Sequence, residues 1–354
     1  MKSIKYDPCI YCSSTQDLCR QSHIVSRNLG TFKNQPSLHY KICKTCEGEI
    51  GKCEEQIAKS GREALIREDL GIKGRHKNSI SSFERKHSGH GPIKMKARIP
   101  GIDDEFLFKP KGDEKNVEFL NQILLKDSAG RWHQIPVPNI SKLDLDSLQQ
   151  LIKAENIKNP ISEVAATGEN NEATNHIFSL LKQIFKGDEK IDTISPFEGR
   201  IKCSGRLTYD DRYFRGIAKI AFHYYLAFNE IGHLGSEPIF EPIRNFIRYG
   251  KGKKQDFISE HRGYLVKNPE IASTFGHIFY SEVTSKSIVT LEQLFVGRGY
   301  NPPYYKIIIS KNSFLIEIPR QVFGHNYSYL PLDERKQYDG TLHKLAIANR
   351  IKIP

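Results

Sequence analysis

The chain has 354 residues, 38% of them hydrophobic, which suffices for two or three packed domains and excludes a disordered or fibrous chain. Its formal net charge is +12, with a sequence pI near 9.2, and the excess of cations is unevenly spread. No apolar run reaches the roughly 20 residues of a membrane span; the best candidate, 217–228, is interrupted by Lys219 and His223. With no apolar h-region at its start, the sequence is expected to be cytoplasmic and to have no membrane partner.

In chain order, the first feature is a pair of CxxC turns, Cys9-Ile-Tyr-Cys12 and Cys43-Lys-Thr-Cys46. Four thiolates on two short turns suit a tetrahedral zinc, because each turn offers two sulfurs at chelating distance. Seven cysteines is an odd number, so a disulfide framework competes poorly. Cys19, Cys53 and Cys203 fit neither turn and read as small buried or unpaired thiols, with a spare-ligand role open for Cys19 and Cys53. Between the turns the pattern predicts a short strand into His23, a loop through Gly30 to Pro36 and a second strand over His39-Tyr40-Lys41-Ile42. A helix follows, through Glu47 to about Ala58. The tethered chain keeps His23 near the clamp. A lone strand histidine is often only a core or surface residue, but this one lies between two metal-binding turns.

On these residues the chain resembles the zinc-containing branch of the HNH endonuclease family. The family pattern is CxxC, an acidic residue with His-Ile, a Gly-bearing loop, a second CxxC and then Asn. It reads here as Cys9 to Cys12, Ser22-His23-Ile24, Leu29-Gly30, Cys43 to Cys46 and Glu47, over about residues 6–58. The resemblance implies a nuclease with His23 as general base and one divalent cation, Mg2+, Mn2+ or Ni2+, between strand and helix. Cys9, Cys12, Cys43 and Cys46 would hold a structural Zn2+. Two residues depart from the pattern: Ser22 stands where an acidic residue usually precedes the histidine, and Glu47 where Asn usually follows the last cysteine. The Asn of the middle strand has no clear counterpart, Leu38 and His39 standing near its place.

The chemistry explains why these positions matter. Phosphodiester hydrolysis needs a base for water and a cation for the charge growing on phosphorus and on the departing oxygen. Histidine, with an ordinary pKa near 6.5, is available unprotonated at neutral pH. The cation needs hard oxygen ligands, which Glu47 can supply from the helix side. Glu47 can equally be a carboxylate that complements the helix dipole, and Ser22 is most simply a loss.

From Lys59 to Arg98 eleven Lys/Arg face four acids, a surplus of +7, and the glycines and histidines there predict a basic connector. Mobile cations of this kind neutralise phosphates. Short amphipathic helices are expected over 144–153 and 175–185. The clearest helix spans 211–231, with an apolar stripe of Phe214, Ile217, Ala218, Ala221, Tyr225 and Phe228. Arg215, Lys219 and His223 recur every fourth residue and are expected on a solvated face. Arg244 and Arg248, one turn apart, lead into Gly250-Lys-Gly-Lys-Lys254, a loop able to grip phosphate without P-loop spacing. Strands are expected at 277–280, 287–291, 304–309 and 313–319, with a hairpin turn at 310–313.

The expected fold class is therefore α+β. It comprises an N-terminal zinc-stapled ββα module of HNH (His-Me finger) type over 1–58, a basic linker over 59–98, and a larger mixed α+β domain over 99–354. The expected activity is metal-dependent endonucleolysis, of DNA in preference to RNA. Nucleic acid would meet Arg75, Lys77, Arg85, Lys86, Lys94, Arg244 and Arg248. A catalytically degenerate zinc-containing DNA-binding protein is the alternative and a partner-binding adaptor the third reading; a homodimer is compatible with all three.

Overall fold

The computed structural model describes residues 7–72, 95–98, 105–111, 116–137, 140–168, 170–185, 190–193, 202–205, 209–229, 235–265, 275–283, 287–297, 301–311, 322–335 and 337–345. It is a mixed α+β chain with several sheets. By contact it divides into two compact units, one of residues 1–67, 71–77 and 209–354, the other of 68–70 and 78–208. The expected N-terminal module and the last 146 residues of the expected C-terminal domain thus fall in one unit.

The first unit begins with β1 (Ser22–His23), β2 (Phe32–Lys33) and β3 (Ser37–Leu38), then α1 (Lys44–Ser60) and α2 (Arg62–Asp69). β1 and β3 pair antiparallel, Ser22 opposite Leu38 and His23 opposite Ser37. The second strand is therefore at 37–38 and not at 39–42: Tyr40 takes a positive φ of 52°, which bends the chain out of any ladder there. α1 buries Ile50, Cys53, Glu54, Ile57 and Ala58, a stripe at helical spacing. α2 lies within the stretch expected as a connector, with Glu63 and Ala64 fully buried. Residues 73–94, which include Arg75, Lys77, Arg85, Lys86 and Lys94, lie outside the described residues.

The second unit carries β4 (Met95–Arg98), β5 (Glu105–Phe106), β6 (Phe108–Lys111), β7 (Asn116–Phe119), β8 (Gln122–Asp127), β9 (Trp132–Pro136), α3 (Leu145–Ala154), β10 (Ile161–Thr167), α4 (Asn171–Ile184), β11 (Lys190–Thr193) and β12 (Lys202–Gly205). Its four-stranded sheet, ordered β11-β10-β8-β9, shares a core with the two helices through Ile123, Leu125, Val164, Leu148, Ile177 and Leu181. Asp144 and Asn170 cap the helices, each accepting from the backbone N–H three residues on at 2.8 Å. α4 starts four residues before the position expected from the apolar pattern, because the cap rather than the stripe sets its first turn.

The first unit resumes with α5 (Asp211–Phe228), α6 (Glu241–Tyr249), α7 (Lys254–Phe257), β13 (Ile258–His261), β14 (Gly276–Val283), β15 (Ile288–Val296), β16 (Tyr304–Ser310), β17 (Val322–Tyr329) and β18 (Gly340–Lys344). These strands and β2 form a seven-stranded sheet, ordered β13-β16-β15-β14-β17-β18-β2, antiparallel except where β18 meets β2. β17 was not expected from the pattern, and the strand and turn expected over 310–319 extend outside the described residues from 312. β15 is buried along its whole length. One face of the sheet packs Ile278, Tyr280, Leu291 and Tyr304 together. The other meets α5, where Tyr224 stacks on Phe279 at 5.0 Å and the hydroxyls of Tyr213 and Tyr305 bond at 2.8 Å.

α5 is buried on nearly every side. The expected solvated face of Arg215, Lys219 and His223 is instead interior: Lys219 is 1% exposed and His223 0%, and Arg215 is half-buried. The cations read as surface because their spacing is helical, but the polar groups of α1, α6 and the N-terminal turns surround them. α1 packs tightly on α5 at Gly216, where a Cβ would lie 2.8 Å from the Cys53 carbonyl oxygen. Gly216→Val is therefore expected to destabilise the protein by about 1–3 kcal/mol through overpacking, read as a lower urea midpoint at unchanged slope.

Candidate functional site

The four sulfurs of Cys9, Cys12, Cys43 and Cys46 lie within 4.8 Å of one another, with Cys12 Sγ and Cys43 Sγ 3.5 Å apart. Tetrahedral zinc with Zn–S bonds of about 2.3 Å places its sulfurs about 3.8 Å apart, so the cluster fits a structural zinc ion. Cys19 and Cys53 do not join it. Cys43 also caps α1, its Sγ accepting from the Cys46 N–H at 3.5 Å, so the positive end of the helix faces the thiolates. The hydrogen bond from Cys46 holds the Cys9 thiol down at about 4 against its burial, and the same contact pushes Cys46 up. A cation bound here would be held by thiolates, so its binding would release protons.

The clamp is braced from the far end of the sequence. Arg248 Nε donates to Cys46 Sγ at 3.4 Å, and Arg244 donates to the carbonyl of Ile10, inside the first turn, at 2.6 Å. Arg215 of α5 in turn holds the carbonyls of Ile247 and Arg248, both at 2.9 Å. Tyr11 reaches the buried ring of His223, its hydroxyl 2.9 Å from Nε2. The two arginines expected to meet nucleic acid from α6 thus have contacts within the clamp.

Beside the clamp, Ser22 and Glu47 meet: Ser22 Oγ donates to Glu47 Oε2 at 2.9 Å. Strand and helix therefore face each other at the two positions where the sequence departs from the HNH pattern. His23 is half-buried, and Arg27 Nε donates to its Nε2 at 3.1 Å. Burial first, then the charges of Arg27, Lys219 and His39, push the His23 imidazole down to about 4, so it is neutral at pH 7.

Two residues that the sequence did not assign to the site, Lys219 and Glu54, hold this strand. Lys219 Nζ donates to the carbonyl of His23 at 2.6 Å, to that of Ile24 at 3.3 Å and to Glu54 Oε1 at 2.6 Å. Burial raises the Glu54 carboxyl while Lys219 opposes it. The signal was present as Lys219 inside an apolar stripe and Glu54 one turn before Ile57 and Ala58, both costly to bury unpaired. The loop after His23 is fixed as well. The hydroxyl of Tyr329 and the ring of buried His277 both bond the Leu29 carbonyl, and Thr31 donates through N–H and hydroxyl to Asp339. Gly30, at φ 116°, turns the chain where a Cβ would press on the Tyr329 ring at 3.0 Å.

No family model, curated protein or solved structure matches this chain. The candidate site therefore stands on its own geometry.

Two measurements check it. Protein purified without chelator is expected to contain one zinc per chain by elemental analysis, and Cys43→Ser to lose it together with the protection of 7–60 from proteolysis. Lys219→Met is expected to cost about 3–5 kcal/mol, because Glu54 is left buried without its counter-charge, and Lys219→Met with Glu54→Leu to recover part of that. Denaturant titration of the single and double variants reads the coupling.

Proposed function

We propose that the protein is a metal-dependent endonuclease of HNH type that hydrolyses nucleic-acid phosphodiester bonds, DNA in preference to RNA. The observation that carries this reading is the hydrogen bond from Ser22, the neighbour of His23 on the strand, to the helix carboxylate of Glu47, beside a four-sulfur clamp. His23 takes the proton of the attacking water; oxygen bonds to phosphorus in line as the bond to the 3′ oxygen breaks. A divalent cation would supply charge stabilisation at the phosphate. Glu47 would hold it from the first turn of α1, with oxygens of the bound phosphate completing its ligands, as suits a cation that uses one or two carboxylates. The exchange of ligand types relative to the HNH pattern, neutral Ser22 and acidic Glu47, keeps one carboxylate between strand and helix. The net charge of +12 favours a polyanionic substrate. Arg75, Lys77, Arg85, Lys86 and Lys94 remain the proposed backbone contacts.

One specific observation favours the second reading, a degenerate zinc-containing DNA-binding protein: His23 Nε2 and Glu47 Oε2 both have partners within the chain. Incubation with plasmid and Mg2+, Mn2+ or Ni2+, with an EDTA control, separates the two. His23→Ala is expected to abolish cleavage with zinc content and DNA affinity near wild type, and Glu47→Gln to lose cleavage at low metal with partial rescue by Mn2+. Equal cleavage by wild type and His23→Ala rejects the proposed base. Wild-type protein that binds plasmid but cleaves with none of the three cations leaves the degenerate reading.

A further inference from the structure

Arg27 lies in a position that the proposed chemistry does not absorb. It opens a single 3-10 turn, Arg27–Leu29, capped by the Ser26 hydroxyl, which accepts from the Asn28 N–H. The backbone of that turn is fixed at both ends: Gly30 N–H closes on the Arg27 carbonyl, and the Leu29 carbonyl is held by Tyr329 and His277. Its side chain is exposed. A rigid base thus carries a long, solvated arm whose Nε–H lies on His23 Nε2, a nitrogen that must be vacant if it is to receive a proton.

The imidazole is a poor competitor for that arm. A guanidinium makes one hydrogen bond to a neutral ring nitrogen, but two parallel charge-assisted bonds to a phosphate. An anion entering above His23 therefore draws Arg27 away, and nothing in the fixed turn has to move.

We infer that Arg27 is both the cover of His23 and the receptor for the scissile phosphodiester: it occupies Nε2 in the free protein and transfers to the substrate's phosphate oxygens on binding, which uncovers the base. The base is thereby exposed only when a phosphate is in place. The groups facing His23 are Arg27, Lys219 and His39; of these, Arg27 is the one that bonds the ring. Moving its charge onto an anion removes one of the lesser causes that hold the imidazole down, while burial, the largest, remains. This inference deepens the endonuclease reading and rests on it for the identity of the substrate, but the exchange of partners is measurable without turnover.

The test is nitrogen NMR of the full chain with 15N-labelled histidine at pH 7.5, without a divalent cation. A ring nitrogen that accepts a hydrogen bond resonates upfield of one that does not. In wild type, His23 Nε2 is expected upfield and to move downfield on titration with dithymidine monophosphate, a single phosphodiester. In Arg27→Met and Arg27→Gln it is expected downfield from the start and unmoved by the dinucleotide, with zinc content unchanged. In cleavage assays both variants are expected to raise KM about tenfold or more, with Arg27→Lys intermediate. An Nε2 signal identical in wild type and Arg27→Met overturns the inference, as does a wild-type signal that the dinucleotide leaves in place. A response to inorganic phosphate alone also overturns it, since Arg27 is then a free-anion site. Cleavage unaffected by His23→Ala rejects the endonuclease mechanism instead, whatever the ring signal does.

Discussion

The placement of the candidate site depends on one buried ammonium. Lys219 stands near the middle of α5, and its Nζ joins three parts of the chain: the strand carrying His23 through two carbonyls, α1 through Glu54, and α5 through its own stem. A buried ammonium with fewer partners would lose its proton or the fold its stability. Three acceptors satisfy its three donors, so the strand, α1 and α5 have only one arrangement in which no charge is stranded. The backbone of His23 is fixed to about the tolerance of a hydrogen bond, although β1 is two residues long and its ladder to β3 is too short to hold it alone.

The four-sulfur cluster meets an equivalent electrostatic demand. A tetrathiolate site with one Zn2+ carries about two excess negative charges, which must be met when it is mostly buried. The N-terminus of α1, the guanidinium of Arg248 on Cys46 Sγ and Arg244 on the Ile10 carbonyl supply positive ends from two helices, α1 and α6. Arg215 orders the last turn of α6 that presents Arg248. The two cysteine turns are thus held by α5 and α6, far away in sequence, and do not form a self-contained small fold.

What was legible in the sequence follows from range. The cysteine turns, the helix after Cys43 and the strand at His23 are written in residues a few positions apart, so spacing sufficed. The helices at 144–153 and 211–231 were legible for the same reason, an apolar period with caps at Asp144 and Asp210. The second strand was misplaced by two residues because apolar alternation over 39–42 looks extended, whereas the backbone turns at Tyr40. Phe32 was read as loop; its strand pairs with residue 340, and its ring packs on Tyr327 at 5.1 Å and His277 at 5.6 Å. The face of Arg215, Lys219 and His223 was read as solvated because charge predicts exposure unless a partner is known. The partners are Glu54, the His23 carbonyl and Tyr11, none of them within reach of a helical window.

The same long-range wiring explains how a weakly built hairpin holds His23 in one place. Local structure contributes little: two short strands and one 3-10 turn. Rigidity is imported from the sheet through Leu29, Thr31 and Phe32 and from α5 through Lys219, so the backbone on either side of His23 is anchored to the core of its unit. The Arg27 side chain, in contrast, is exposed and reaches the His23 ring. The main chain on both sides of the imidazole is thus fixed, while the exposed Arg27 side chain bonds its ring. A hairpin stabilised by its own ladder would have needed longer strands than the two residues of β1 and of β3.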